Sequence, residues 1–258
     1  LSKISGDKDF KLINDIDEII KRGINQNSFQ MYYQPIYSVK KKRFVSAEAL
    51  IRLTDVKHGF VSPGLFIPAA EKSGAIHKIG DFVLRDVCRF MSTPEYKDLE
   101  MEYVEINLSM AQCIERNLPE RMREIISSSN IAPEKINLEL TETANIFHAD
   151  IADENINKLR KMGFTFALDD YGTGYSSIRR IAYLPLDIVK LDKSLTDDIN
   201  NPDMLSVITN TIKMLHNINK KIVVEGIEDK KTADRYMELG CDYIQGYYFA
   251  RPMPEEEF

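Results

Sequence analysis

The chain is poor in cysteine and histidine. Its three cysteines, Cys88, Cys113 and Cys241, stand far apart with no Cys-x-x-Cys pair. That argues against a disulfide framework or a structural zinc centre and for a reducing, cytoplasmic setting. The four histidines, His58, His77, His148 and His216, show no ligand spacing. No apolar run approaches membrane-spanning length and no signal peptide is visible. This segment is therefore expected to make no membrane contact, although a longer parent chain could be anchored. A basic excess is missing too. The net charge of -6 argues against a nucleic-acid surface, because phosphate backbones demand basic patches. It leaves room for one small anionic substrate, since bound metal ions invert local charge. There is no low-complexity stretch, linker or repeat, so residues 1–258 are read as one domain. The first residue is Leu1 rather than Met, which fits a segment cut from something longer.

What is present is an ordinary globular composition, 43% hydrophobic and 29% charged. Residues 9–24 carry apolar positions at helical spacing. Phe29–Val39 and Phe44–Leu53 read as strands joined by the solvated turn Lys40–Arg43, an antiparallel hairpin. A loop through Gly59, Pro63 and Gly64 leads to helices over 64–73 and 79–91. Strands follow at Tyr103–Ser109, Ile136–Glu142, the run ending in Asp169-Asp170, Asp187–Asp192, Lys221–Gly226 and Cys241–Gly246. Helices fall between them: around 118–129, near 151–162 with Gly163 as its stop, from Asn201-Pro202 onward, and from Asp229 to Gly240. Strands alternating with helices imply a mostly parallel sheet. Eight such units in this length predict an α/β fold, a (β/α)8 TIM-type barrel with one antiparallel strand. An open doubly wound sheet is the second choice, weakened because no Gly-x-Gly-x-x-Gly turn follows an early strand.

The stretch Phe166-Ala-Leu-Asp169-Asp170-Tyr171-Gly172-Thr173-Gly174 puts two adjacent carboxylates at a strand end before a glycine loop. Alone it is either a polar turn or a hard-metal site. Other strands decide between them. Glu48 with Arg52, Asn107, Glu139 with Glu142, Lys190, Glu225 with Glu228, and Gln245 all fall at or near strand C-terminal ends. In a barrel those ends share the face where active sites lie. Acids converging from four strands would repel strongly unless cations compensate them. Carboxylates and an amide oxygen without His or Cys suit Mg2+ or Mn2+, with room for two ions. Two such ions can hold a phosphoryl group, acidify a water and stabilise the departing oxyanion. Lys190 can orient the water or neutralise charge, Glu225 can act as base or as ligand, and the planar fork of Arg52 suits a phosphate.

These residues resemble a known family. Ala47-Glu48-Ala49-Leu50-Ile51-Arg52 carries the Glu-Ala-Leu signature of the EAL-domain cyclic di-GMP phosphodiesterases. The likeness runs from Tyr33-Gln34-Pro35-Ile36 to Gln245-Gly246-Tyr247-Tyr248-Phe249-Ala250-Arg251-Pro252. Between them lie Phe66-Ile67-Pro68-Ala69-Ala70-Glu71, Asn107-Leu108-Ser109, Glu139-Leu140-Thr141-Glu142, Lys190-Leu191-Asp192 and Glu225-Gly226-Ile227-Glu228. The resemblance implies a barrel with an antiparallel strand, and hydrolysis of cyclic di-GMP to linear pGpG with two Mg2+ or Mn2+ ions in bacterial second-messenger signalling. It implies that Glu48, Asn107, Glu139 and Asp169 hold one metal, that Asp169 bridges, and that Asp170 helps hold the other. Lys190 and Glu225 would position and deprotonate the water, with Gln245 in support. Glu142 would anchor the glycine loop, and Gln34, Leu50 and Arg52 would contact substrate. A homodimer and fusion to sensory or cyclase domains are also implied. Leu53, Asp55-Val56 and Tyr171 depart from the family's usual aromatic, His-Pro and Phe. The first two are expected to loosen the loop on the substrate side. The alternatives are a catalytically silent cyclic di-GMP receptor or protein-interaction module, and a Mg2+-assisted enolisation enzyme on a similar barrel.

Overall fold

The aromatic and β-branched stretches at the start form a long antiparallel pair, β1 (Phe29–Ser38) and β2 (Arg43–Asp55). The structure, a computed structural model, describes residues 12–141, 149–173 and 178–258. Residues 12–14 are helical, and after Asp15 the helix α1 (Ile16–Asn25) follows, so the predicted 9–24 helix is interrupted within its described part. β2 runs past its predicted end and folds back as β3 (Gly59–Val61). Then come α2 (Pro63–Ser73), α3 (Ile76–Met91), α4 (Pro94–Asp98), β4 (Tyr103–Leu108), α5 (Met110–Cys113), α6 (Leu118–Ser129) and β5 (Ile136–Thr141). The second half holds α7 (Ala149–Met162), β6 (Thr165–Tyr171), α8 (Ile178–Tyr183), β7 (Ile188–Leu191), α9 (Lys193–Asp197) and α10 (Pro202–Asn217). It ends with β8 (Lys221–Val224), α11 (Lys230–Leu239), β9 (Tyr243–Ile244) and β10 (Met253–Pro254).

The strands close a ring in the order β1, β9, β8, β7, β6, β5, β4, β2 and back to β1. From β2 through β9 the neighbours are parallel, while β1 runs against both of its neighbours. This is the predicted barrel with one antiparallel strand. β3 and β10 are additions flanking β2 and β1.

The helix limits follow their local chemistry. Asn201 caps α10 by accepting from the amides of Asp203 and Met204, with Pro202 supplying a first residue that needs no donor. α7 stops at Met162 because Gly163 takes φ +110, a conformation closed to most side chains. The main apolar core lies between barrel and helices, and includes Tyr33, Leu53, Phe66, Phe90, Phe164 and Phe166. A separate cluster fills the barrel itself, where Ile36, Ala167, Ile188, Val223 and Tyr243 make an apolar layer with Tyr103 against it. The inward-facing charged side chains of the site stand in the layer above.

Candidate active site

Lys190 stands at the centre of that polar layer, fully enclosed. Its Nζ lies 2.5 Å from Glu139 Oε1, 2.8 Å from Glu225 Oε1 and 3.4 Å from Glu48 Oε2. Glu105 Oε2 and Asp169 Oδ1 follow at 3.6 Å and 3.7 Å. Strand alternation explains the convergence, since every second residue of a barrel strand points inward.

Glu48 is the most fully bonded of these acids. Its Oε1 accepts from Asn107 Nδ2 at 3.1 Å and its Oε2 from Gln245 Nε2 at 2.7 Å. Gln245 also donates to Gln34 Oε1 at 3.2 Å, and Gln34 donates to the carbonyl of Ala250 at 3.1 Å. This chain runs from Gln34 on β1 through Gln245, just past β9, to Glu48 on β2.

Asp169 and Asp170 are successive in β6 and should face opposite sides. They do not, because the pairing of β6 with β7 slips between Leu168 and Tyr171 and Asp170 takes φ +56. Asp tolerates that left-handed backbone better than most residues, and such irregularities re-aim side chains. Oxygens of Asp169, Asp170 and Glu225 consequently lie within 4.8 Å of one another.

The charge balance is lopsided. Burial opposes the Lys190 charge, but Glu139, Glu225, Glu48 and Asp169 outweigh it and hold its pKa well above the ordinary lysine range. Burial raises Glu139, Glu105 and Asp169 despite the lysine. It lifts Glu225 to about 8 and Asp170 to about 6, with neighbouring acids adding to the effect. Glu48 goes the other way: burial is overcome by Lys190 and by the bonds from Gln245 and Asn107. Glu139 Oε2, Asp169 Oδ1 and both oxygens of Glu105 are buried without a hydrogen-bond partner. Oxygen donors left bare in this way fit a hard divalent cation, and no His or Cys stands among them.

A groove of about 600 Å3 opens from this cluster between β2, β4, α2 and α3. Glu48, Asn107, Asp169 and Asp170 line one end; Leu50, Arg52 and Ile67 line the walls. The Arg52 guanidinium sits 5.5 Å from the centre of the Tyr32 ring.

Nine residues singled out by sequence thus meet here: Gln34, Glu48, Asn107, Glu139, Asp169, Asp170, Lys190, Glu225 and Gln245. Leu50 and Arg52 sit on the groove. Glu142 lies outside the described residues. Glu228 turns instead to the exposed surface, where it pairs with Lys193. Glu105 was not anticipated, although it shares the inward face of β4 with Asn107 two residues on. Of the loop departures, Asp55 is tied down and Val56 is exposed. Asp55 is buried and accepts from the amides of Lys57 and His58 and from the Arg22 side chain. Leu53 is buried in the outer core, and Tyr171 is buried as well.

Comparison with known proteins agrees with this architecture. The EAL domain model matches residues 17–252. The Bacillus subtilis signaling protein YkoW is 31% identical over 98% of this chain and 32% of its own length. The Pseudomonas aeruginosa bifunctional diguanylate cyclase/cyclic di-GMP phosphodiesterase MucR is 30% identical over 96% of this chain and 36% of its own length. Among solved structures, the PaMucR phosphodiesterase in a c-di-GMP complex superposes with a TM-score of 0.86 at 29% identity, covering 94% of this chain and 99% of that one. The chain spans about a third of the length of the curated relatives it matches. It belongs to the EAL domain family.

Proposed function

We propose that the chain is a phosphodiesterase that hydrolyses cyclic di-GMP to linear pGpG with two Mg2+ or Mn2+ ions. The observation that carries this is the group of carboxylates around Lys190 at the end of a groove, several of whose buried oxygens have no hydrogen-bond partner. Relatives named as cyclic di-GMP phosphodiesterases, MucR and NbdA of Pseudomonas aeruginosa, supply the substrate. Glu48, Asn107, Glu139 and Asp169 would hold one ion, and Asp169 with Asp170 the other. When bound, the ions supply Lewis acidity that neutralises the phosphoryl oxygens, acidifies a water and stabilises the leaving oxygen.

The remaining roles belong to the chain's own groups. The Glu225 carboxyl sits at about 8 without a cation; ionised beside bound cations, it would take the proton of the water. In the metal-free chain Lys190 gathers the Glu225 and Glu139 carboxylates. Gln245, itself bonded to Gln34, fixes Glu48 Oε2. Arg52 and Leu50 face the dinucleotide, the guanidinium meeting a phosphate and Leu50 the sugar or base. Glu142 anchors the glycine loop. We further propose one domain over 1–258, a homodimer, a cytoplasmic site of action, and fusion in the parent chain to sensory or cyclase domains.

The test is product formation. Incubation with cyclic di-GMP and Mg2+ or Mn2+ is expected to yield linear pGpG, followed by chromatography. Glu48→Ala is expected to lower turnover by at least about a hundredfold, the upper end of the loss when groups that only support metal ligands are removed. Tight dinucleotide binding with no product under any cation concentration would make the chain a silent receptor instead.

A further inference from the structure

Glu105 is an acid that the roles above do not use. It is fully enclosed, its two oxygens accept from no nitrogen or hydroxyl among the described residues, its carboxyl lies against that of Glu139, and it faces Lys190 Nζ at 3.6 Å. It sits on β4 two residues before Asn107, about 6.6 Å deeper along the strand. It does not line the groove and is not part of the Asp169, Asp170 and Glu225 cluster. Beneath it lies the apolar layer of Ile36, Ala167, Ile188 and Val223. Nearby, Asn137 Nδ2 donates to Thr165 Oγ1 at 2.9 Å, so neutral side chains can fill the barrel interior. A carboxylate left bare at such depth is costly unless a partner needs it.

The need comes from Lys190. Its nearest partners, Glu139 and Glu225, are oxygens that the cations and the water also require. An ammonium and a divalent cation compete for them. Once Glu48, Glu139 and Asp169 turn toward cations, the lysine needs an anion the cations do not claim. We propose that Glu105 is that anion, a positioning residue that draws Lys190 down the barrel axis and releases the upper carboxylates for metal. This rests on the two-cation reading above and extends it.

The experiment compares wild type with Glu105→Gln and Glu105→Asp, using Mn2+ as probe. Free Mn2+ is read by electron paramagnetic resonance, thermal midpoints are taken with and without Mn2+, and steady-state kinetics use cyclic di-GMP. Glu105→Gln is expected to bind Mn2+ about tenfold more weakly, from loss of one nearby charge and the return of Lys190 to Glu139. It should lower kcat with little change in KM. Its metal-free midpoint should rise, because a bare buried charge is gone, whereas a residue kept only for packing would show the opposite. Glu105→Asp, which keeps the charge one methylene short, should recover part of the Mn2+ affinity. If wild type binds Mn2+ and Glu105→Gln binds it equally, the role of Glu105 is overturned and the two-cation reading stands. A lower metal-free midpoint for Glu105→Gln also overturns it. If wild type takes up no Mn2+, both readings fall.

Discussion

Glu225 and Asp170 tie acidity to stability residue by residue. Burial holds their carboxyls at about 8 and about 6, against roughly 4 in an unfolded chain. Between those limits the folded, metal-free protein keeps protons that the unfolded chain has lost. The stability they contribute is therefore complete below about pH 4 and is lost as pH rises through the folded values. Glu48 has the opposite sign: its lowered pKa contributes stability that disappears only in acid below about pH 4. The metal-free protein should accordingly lose urea resistance from about pH 5 to about pH 8.5, with a limiting slope of about 1.4 kcal/mol per pH unit for each such group. Saturating Mg2+ should flatten that slope, since a bound cation keeps the carboxylates ionised in the folded state. Urea midpoints across this range, with and without Mg2+, decide it. A metal-free midpoint that is flat or rises with pH contradicts the environment described for these two acids.

At the level of elements, the turn from β2 to β3 is fastened to α1 by one acid. Burial works against the Asp55 charge, but bonds from His58, Arg22 and the amides of Lys57 and His58 win, and its carboxyl sits at about 2. Asp55→Ala should cost about 2–3 kcal/mol, less than a fully buried pair because the Arg22 side chain is 24% exposed. Hydrogen exchange should speed up at residues 55–61 and in α1 while β5, β7 and β8 stay protected. Faster exchange throughout the barrel would mean that this fastening supports the whole fold. The sequence did not announce this turn, because three residues of β3 carry no periodicity to read. The barrel was legible for the opposite reason: strands alternating with helices, a Pro202 start and a Gly163 stop repeat the same message many times. β9 came out shorter than the predicted Cys241–Gly246. There Gly246 presses its backbone onto Ile227, where an added Cβ would lie 2.1 Å from the carbonyl oxygen. Most of the site was also legible, because acids at strand ends share a face by topology alone. Glu105 escaped because it lies mid-strand, though its spacing from Asn107 carried the signal. The slip that turns Asp169 and Asp170 to one side is a backbone event with no mark in residue type.

Across the whole molecule, closure depends on β1, the strand that runs against its neighbours. Its inward face carries Gln34, part of the hydrogen-bonded chain to Glu48. Its outward face carries Tyr33, fully buried against Phe90 of α3 at 4.4 Å and Phe258 at 5.7 Å between ring centres. Phe258 also meets Phe90 edge-on at 5.9 Å, and the segment that delivers it is held by β10 on β1 and by the paired Arg89 and Glu255. The residues after β9 thus brace the closing strand from outside. Because Phe258 is only half-buried, Phe258→Ala should cost about 2 kcal/mol, below the range for a fully enclosed Phe. In a chain of this size that lowers the thermal midpoint by roughly 4–8 °C. Turnover of cyclic di-GMP at a temperature well below the midpoint should stay near wild type, since Tyr33 and Gln34 point to opposite faces of β1. Calorimetry together with the product assay separates the outcomes. An unmoved midpoint would deny Phe258 its bracing role. A lowered midpoint with turnover lost at low temperature would mean that the outer packing of β1 also sets the position of Gln34, and through Gln245 the position of Glu48.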